Sequence, residues 1–354
     1  MPVIQTIISF LAVIAILILA HELGHFITAR LSGVTVMEFG LGFPPRLLSI
    51  KRGETTYTLN LIPLGGFVKM AGEEDPMVPG SLASKSIGAR ILVLSAGSIM
   101  NFLLPLLLFS TAFMIPHNEL MGQVRVEQVA PDSPADRAGI KPGDIILKAN
   151  GTVLNNGGDL SRYLQINLGK EITLLVQHQD NSTEAVAVLA RWSPPAGQGA
   201  TGVQINTVNS QVVSQHLPFW RAIPAGVTAS IETFVLFKND IIRMILGTVP
   251  AGVTGPVGIA QITGEVARTG ISPLLEFAAF LSINLAIINI FPLPALDGGR
   301  IAFVIVEWIR RGKRVPAKTE ALVHMIGFMA FMAFMLLVTY QDIVRIVNGQ
   351  SLIP

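Results

Sequence analysis

No cysteine occurs in the 354 residues, so disulfides and thiolate metal sites are excluded, while the redox compartment is left open. Charge is scarce too: 14% of residues are Asp, Glu, Lys or Arg, against about 25% in soluble domains. Together with 51% hydrophobic residues and a mean hydropathy of +0.58, that scarcity puts the chain among membrane proteins. The net charge of +2 is too small to imply a nucleic-acid partner. There is no internal repeat and no low-complexity tract. No Lys or Arg precedes the apolar run 2–20 and no small-residue cleavage site follows it, so the run is expected to be a retained helix, not a signal peptide.

What is present is a set of long apolar runs. The first covers residues 3–29, about 40 Å of helix against a hydrocarbon core of about 30 Å. The second covers 91–115, with Pro105 expected to kink it. The third starts near Leu274, reaches Phe291, breaks at Pro292 and Pro294 and resumes over 300–309. The fourth covers 321–339. Four spans put both termini on one side together with 116–272, and leave 30–90 and 310–318 on the other. The loop 310–318 holds Arg310, Arg311, Lys313, Arg314 and Lys318 and no acid, which makes its side cytoplasmic.

Two stretches have a different pattern. In 55–62, Tyr57, Leu59 and Leu61 alternate with Thr56, Thr58 and Asn60, and Gly53 precedes them. The pattern is a β-hairpin, either a soluble surface hairpin or a strand pair dipping toward a functional site. Residues 120–190 read as soluble, with strand-like runs at 123–129, 145–150, 172–178 and 185–190 and a short helix at 159–165. A Pro/Gly-rich tract over 193–202 follows. Residues 219–246 read as an amphipathic helix at the membrane interface, and 252–258 as a loop.

The chemistry sits inside the first span. His21-Glu22-Leu23-Gly24-His25 fits His-Glu-x-x-His, and helical spacing puts both imidazoles on one face where they can reach one ion. Glu22, offset by one residue, can take a proton from a water that zinc has acidified toward a pKa of ~7, and can return it to a leaving amine. The bland alternative is three polar groups with no task in a span that could have been Leu and Val. Burial of charged groups there costs about 2.5–3.5 kcal/mol each on insertion scales. His21 lies nine residues before Arg30, about 13 Å inside that end of the helix.

A catalytic zinc wants a third protein ligand. His117, His178 and His216 fall in the external region, and His324 reads as an imidazole bonded between helices. Asp297 is the better candidate. Taken alone it could be an ordinary Asp-Gly turn, but irregular backbone at membrane depth is tolerated only where it is buried in protein or lines a wet cavity. Asn289 and Asn101 could equally hydrogen-bond between helices or touch substrate.

These residues together resemble the site-2 protease family of intramembrane zinc proteases, in its bacterial regulator-of-sigma-E branch. The likeness covers nearly the whole chain. His21-Glu22-x-x-His25 matches the first family motif. Asn289-x-x-Pro292-x-Pro294-x-x-Asp297-Gly298 matches the second, whose Asp is the third zinc ligand. Gly97-x-x-x-Asn101 resembles a motif of the second span, with Ser98 where the family often has Pro. The resemblance implies Zn2+ bound by His21, His25 and Asp297, with Glu22 catalytic. It implies substrate contacts from Asn289, Asn101 and the Gly65-Gly66 end of a membrane-re-entrant β element over 36–70. Residues 122–190 are similar to a bacterial PDZ domain, on the run Ala138-Gly139-Ile140-Lys141-Pro142-Gly143-Asp144. Such a domain would take a peptide end beside the strand at 123–129.

The expected fold is therefore an α-helical polytopic membrane protein with a re-entrant β-hairpin and an extracytoplasmic α+β PDZ domain. Its expected parts are a first membrane half over 1–115, the PDZ domain over 120–192, a linker and interfacial helix over 193–272, and a second membrane half over 273–354. The expected substrates are single-pass membrane proteins already trimmed outside, such as an anti-sigma factor, or remnant signal peptides, cut within the bacterial inner membrane toward its cytoplasmic side. Two other readings compete: a non-catalytic membrane scaffold presenting a PDZ domain, and a metal transporter. The first would be favoured by an altered Glu22 or a missing third ligand. The second would need polar groups along a whole path, whereas here they cluster at one depth.

Overall fold

The computed structural model describes residues 2–73, 75–249 and 253–349. The chain divides into two units. One comprises the described residues of 1–112, 222–227 and 253–354, and the other those of 113–221 and 228–252.

Among the described residues, four helices are long and apolar enough to cross a membrane, and the first unit holds them: α1 (Pro2–Leu31), α2 (Ile87–Met114), α7 (Ile271–Ile290) and α9 (Ala317–Val347). The shortest, α7, has 20 residues, which at 1.5 Å per residue is about the hydrocarbon thickness. On α1 and α9 the large apolar side chains Ile4, Ile8, Met325, Phe328, Met329 and Leu336 face outward, as helices bathed in lipid require. α2 is continuous through Pro105. Between α1 and α2 runs a hairpin of β1 (Val36–Arg52) and β2 (Thr55–Met70). It closes at Arg52–Thr55 around Gly53 and is longer than its alternating sequence core suggests. A core of Ala29, Val34, Val36, Met70, Leu82, Val93, Leu94 and Val304 ties the end of α1, the base of the hairpin, the first half of α2 and α8 (Asp297–Ile309) to one another.

The break between α7 and α8 has a local cause. Pro292 and Pro294 supply no N–H to a helix ladder, and Ala295 takes a left-handed φ of 73°. Its N–H donates to His324 Nδ1 of α9 at 2.9 Å, so the expected interhelical imidazole in fact braces this loop. Gly298 follows Asp297 because a Cβ there would collide with the carbonyl oxygens of Phe291 and Ile290.

Of the expected loop over 252–258, residue 252 lies outside the described residues, and 256–258 are not loop but the start of α6 (Pro256–Thr269). Glycines blur its sequence signal, yet they are what let it pack: Gly258, Thr263 and Gly264 are buried, and Gly264 lies against Thr6 of α1. The buried Asp342 of α9 accepts the Gly258 N–H at 2.9 Å and so serves the otherwise unpaired first turn.

The second unit is built on an antiparallel sheet of order β7-β6-β4-β3-β8, with β5 (Thr152–Val153) beside β4. Its strands are β3 (His117–Val129), β4 (Ile145–Ala149), β6 (Glu171–Gln177), β7 (Thr183–Leu189) and β8 (Val203–Gln215). Ile172, Leu174 and Val176 alternate inward with the strand period of two, and meet Leu160 and Leu164 of α4 (Gly157–Ile166) in a core with Val124, Val126 and Ile146. α4 starts where Asn156 accepts the Asp159 N–H, and Ser133 caps the short α3 (Pro134–Arg137) in the same way. α5 (Phe219–Ile245) follows the sheet, and its buried Asn239 donates to the Gln165 and Ile166 carbonyls at the end of α4.

β8 corrects two expectations. Residues 203–215 are not linker but a strand paired with β3 along nearly its whole length. The strand at 123–129 is therefore interior, with β4 on one side and β8 on the other, and cannot receive a peptide. Gln204, Asn206, Asn209, Ser210 and Gln211 hide β8 in the sequence, because a strand at the end of a sheet needs no regular apolar alternation.

Candidate metal centre

The helix α1 carries His21 and His25 one turn apart, both buried. α2 crosses directly behind them. At Gly97 a Cβ would lie within 2.6 Å of His21 Nε2 and closer still to His25 Nε2, so only glycine leaves room for two imidazoles against that helix. His25 is oriented by the main chain: its Nδ1 is 2.8 Å from the Val93 carbonyl, which accepts the proton and leaves Nε2 with a lone pair. His21 Nδ1 faces the side-chain amide of Asn101, 3.3 Å away and also buried.

Asp297, the first residue of α8, completes the arrangement. Its Oδ2 is 3.0 Å from His21 Nε2 and 3.2 Å from His25 Nε2, and the two imidazole nitrogens are 3.2 Å apart. Three donors thus form a nearly equilateral triangle. A tetrahedral zinc with bonds of about 2.0–2.1 Å needs donors roughly 3.3 Å apart, so two nitrogens and a carboxylate oxygen at these spacings fit one face of such a site. Among the described residues these three form the one group of His, Asp or Glu side chains whose ligand atoms converge in this way.

The same three side chains line a cavity of about 410 Å³ together with Glu22. The wall opposite is the last part of β2. Gly66 comes so close that a Cβ would sit 2.8 Å from Glu22 Cγ, and Phe67, Val68, Lys69 and Met70 continue the lining. Of the residues singled out in the sequence, His21, Glu22, His25, Asp297 and Gly66 are brought to this cavity, with Gly65 next in the chain. Asn289, half-buried near the end of α7, and Asn101, buried behind His21, are not among its lining residues.

Sequence reading missed a charged pair on the rim. Arg300 and Glu73 line the cavity and bridge at 2.6 Å, and Glu73 also accepts the Met70 N–H at 3.1 Å. Arg300 follows Asp297 by three residues, so helical spacing alone could have nominated it as a neighbour of the site. Nothing in the sequence could have nominated the Val93 carbonyl.

In the second unit, His178 Nδ1 lies 3.1 Å from the buried carboxylate of Asp144, and that hydrogen bond, helped by Glu184, raises the imidazole's pKa above its ordinary value.

Comparison with known proteins shows the family. The model of the family described as peptidase family M50 matches residues 9–334. A Clostridium perfringens protein that carries the provisional name zinc metalloprotease is 37% identical over 344 residues, 96% of this chain and 98% of that one. The regulator of sigma-W protease RasP of Bacillus subtilis is 30% identical over 429 aligned positions, covering 97% and 99% of the two chains. The zinc metalloprotease RasP of Geobacillus kaustophilus is 28% identical, covering 96% and 98%. Among solved structures, the PDZ domain of an SdrC-like protein from Listeria innocua aligns with 23% of this chain and 92% of its own, at 20% identity and a TM-score of 0.21.

Proposed function

The chain belongs to peptidase family M50 and is an intramembrane zinc metalloprotease, and on that premise we propose that His21, His25 and Asp297 hold the zinc while Glu22 moves the proton. The observation that carries this reading is the donor triangle of 3.0–3.2 Å edges in the wall of the cavity that Glu22 also lines. Zinc on such a donor set supplies a Lewis acid next to the scissile carbonyl. Glu22 removes a proton from the attacking water and delivers it to the leaving nitrogen, so that one water is consumed and two chain ends are released. The hairpin supplies the substrate's shape. A transmembrane helix hides its amide bonds, and an unwound segment laid along β2 near Gly65 and Gly66 would present one as an extended strand beside Glu22. Asn289 would contact that segment from the end of α7.

The substrate in this reading is a single-pass membrane protein already shortened outside, resembling an anti-sigma factor, or a remnant signal peptide. The relative named for regulation of sigma-W supports the first. The second unit acts as a PDZ domain that takes the trimmed end of the substrate. The strand offered to the peptide is β8, which lies at one end of the sheet. The basic loop at 310–318 supports a cytoplasmic position for the side of the membrane nearer the zinc site.

The test is direct. Purified protein should contain about one zinc per chain and cut a model transmembrane substrate. Glu22→Gln should keep the metal and lose at least about 10²-fold in cleavage rate, the contribution expected of a general acid–base. Cleavage that survives this substitution rejects the mechanism. Asp297→Ala should lose the zinc, and a full complement of metal in that variant rejects the ligand set.

A further inference from the structure

The pair formed by Asn101 and His21 has no part in the scheme above. A neutral imidazole carries one N–H. For His21 to offer a lone pair through Nε2, the atom that faces Asp297 and His25, its proton must sit on Nδ1. A buried Nδ1–H needs an acceptor. His25 has a permanent one in the Val93 carbonyl. Facing His21 Nδ1 is the amide of Asn101, which is fully buried.

An amide is two-faced. With Nδ2 toward His21 it donates to Nδ1 and forces the imidazole proton onto Nε2, where it points at Asp297 and occupies the metal's place. With Oδ1 toward His21 it accepts the proton on Nδ1 and frees Nε2. A half-turn of the side chain about χ2 exchanges the two with almost no change of shape. In the structure Nδ2 is the atom 3.3 Å from Nδ1, and Oδ1 is buried without a hydrogen-bond partner. The backbone at this point is held from a third helix, since Ser282 of α7 donates its hydroxyl to the Asn101 carbonyl at 2.7 Å. Gly97, one turn earlier on the same helix, makes the room that brings His21 within reach.

We infer that Asn101 is a positioning residue of the zinc site: with its amide oxygen toward His21 Nδ1 it selects the tautomer that binds metal through Nε2. The inference rests on the reading of His21 as a ligand. The Gly97-x-x-x-Asn101 spacing then has one purpose, glycine giving the rings their space and asparagine setting one of them. Asn101 does not touch substrate.

Chelator competition on the full-length, detergent-purified holoenzyme tests this, with the zinc retained read by metal analysis. Asn101→Leu, of similar size and without an acceptor, should hold zinc about 10- to 100-fold more weakly, as loss of a partner behind a ligating histidine does. Asn101→Asp, whose carboxylate accepts from Nδ1 in either orientation, should hold zinc as tightly as the unaltered protein. A purely structural asparagine gives the opposite order, because a buried carboxylate between helices is the more disruptive change. Undiminished affinity in the Asn101→Leu protein, or an Asn101→Asp protein as weak as the leucine variant, overturns the inference. If the leucine variant does not fold, Asn101→Ala replaces it with the same expectation. Unaltered protein without zinc would instead remove the ligand assignment itself, so the two failures are distinguishable.

Discussion

Two imidazoles within contact of a glycine place a strict demand on one residue. A methyl group at position 97 would press on His21 Nε2 and on His25 Nε2, and the rings are easier to move than the α2 backbone. Gly97→Ala should therefore leave the fold intact and displace the ligands. Reacting groups misplaced by about 1 Å commonly cost about 10²-fold in rate. We expect a loss of that order in cleavage, with weakened zinc retention, in a protein whose circular dichroism is unaltered. Full activity in the Gly97→Ala protein would mean that the rings do not occupy this position in the working enzyme. At the same scale Glu73 and Arg300 form a partly exposed pair on the cavity rim, a geometry that contributes less than about 1 kcal/mol to stability.

Among the elements, α8 does two jobs with its two ends. Its first residue is Asp297, and near its last turn Glu307 meets Arg90 of α2 at 2.7 Å and Arg314 at 3.2 Å. Arg314 also donates to the Ala83 carbonyl. The Arg90–Glu307 pair is almost wholly removed from solvent, so it behaves unlike the rim pair. Removing one partner of a buried pair leaves an uncompensated charge and costs about 3–5 kcal/mol. Glu307→Ala should accordingly lower the denaturation midpoint in detergent far more than Arg300→Ala does. Equal shifts would show that the buried pair does not fasten α8 to α2. The proline-broken loop ahead of α8 works with this anchor. Ala295, held by His324, sets the direction in which Asp297 leaves the loop, and Glu307 holds the far end of the helix.

For the whole molecule, the proposed orientation rests on four apolar helices long enough to span and on one basic loop. The loop 310–318 carries five basic residues and no acid, the pattern on which its proposed cytoplasmic position rests. A cleavable tag inserted after Arg311 should be protected from added protease in intact spheroplasts, and one inserted after Gly197 in the second unit should be cut. Cleavage of the first tag would invert the topology and move the metal centre toward the outer face.

The spans, the His21-Glu22-x-x-His25 motif and the Pro-broken Asp297 segment were legible because each is a local property of the chain. About 20 apolar residues suffice for a span, and two residues four apart share a helix face whatever else the protein does. Composition alone thus determined a membrane protein, and spacing determined that His21 and His25 share one helix face. The tertiary structure decided the rest. His25 and Asp297 are 272 residues apart and Asn101 and His21 are 80 apart, so their meeting depends on how helices cross, which local composition does not encode. β8 escaped notice for a related reason: it is held by main-chain hydrogen bonds to β3, and every residue type except proline supplies those equally. Only the packing of α2 behind α1 gave Gly97 and Asn101 their meaning, because a contact between side chains on different helices exists nowhere in the order of residues along one of them.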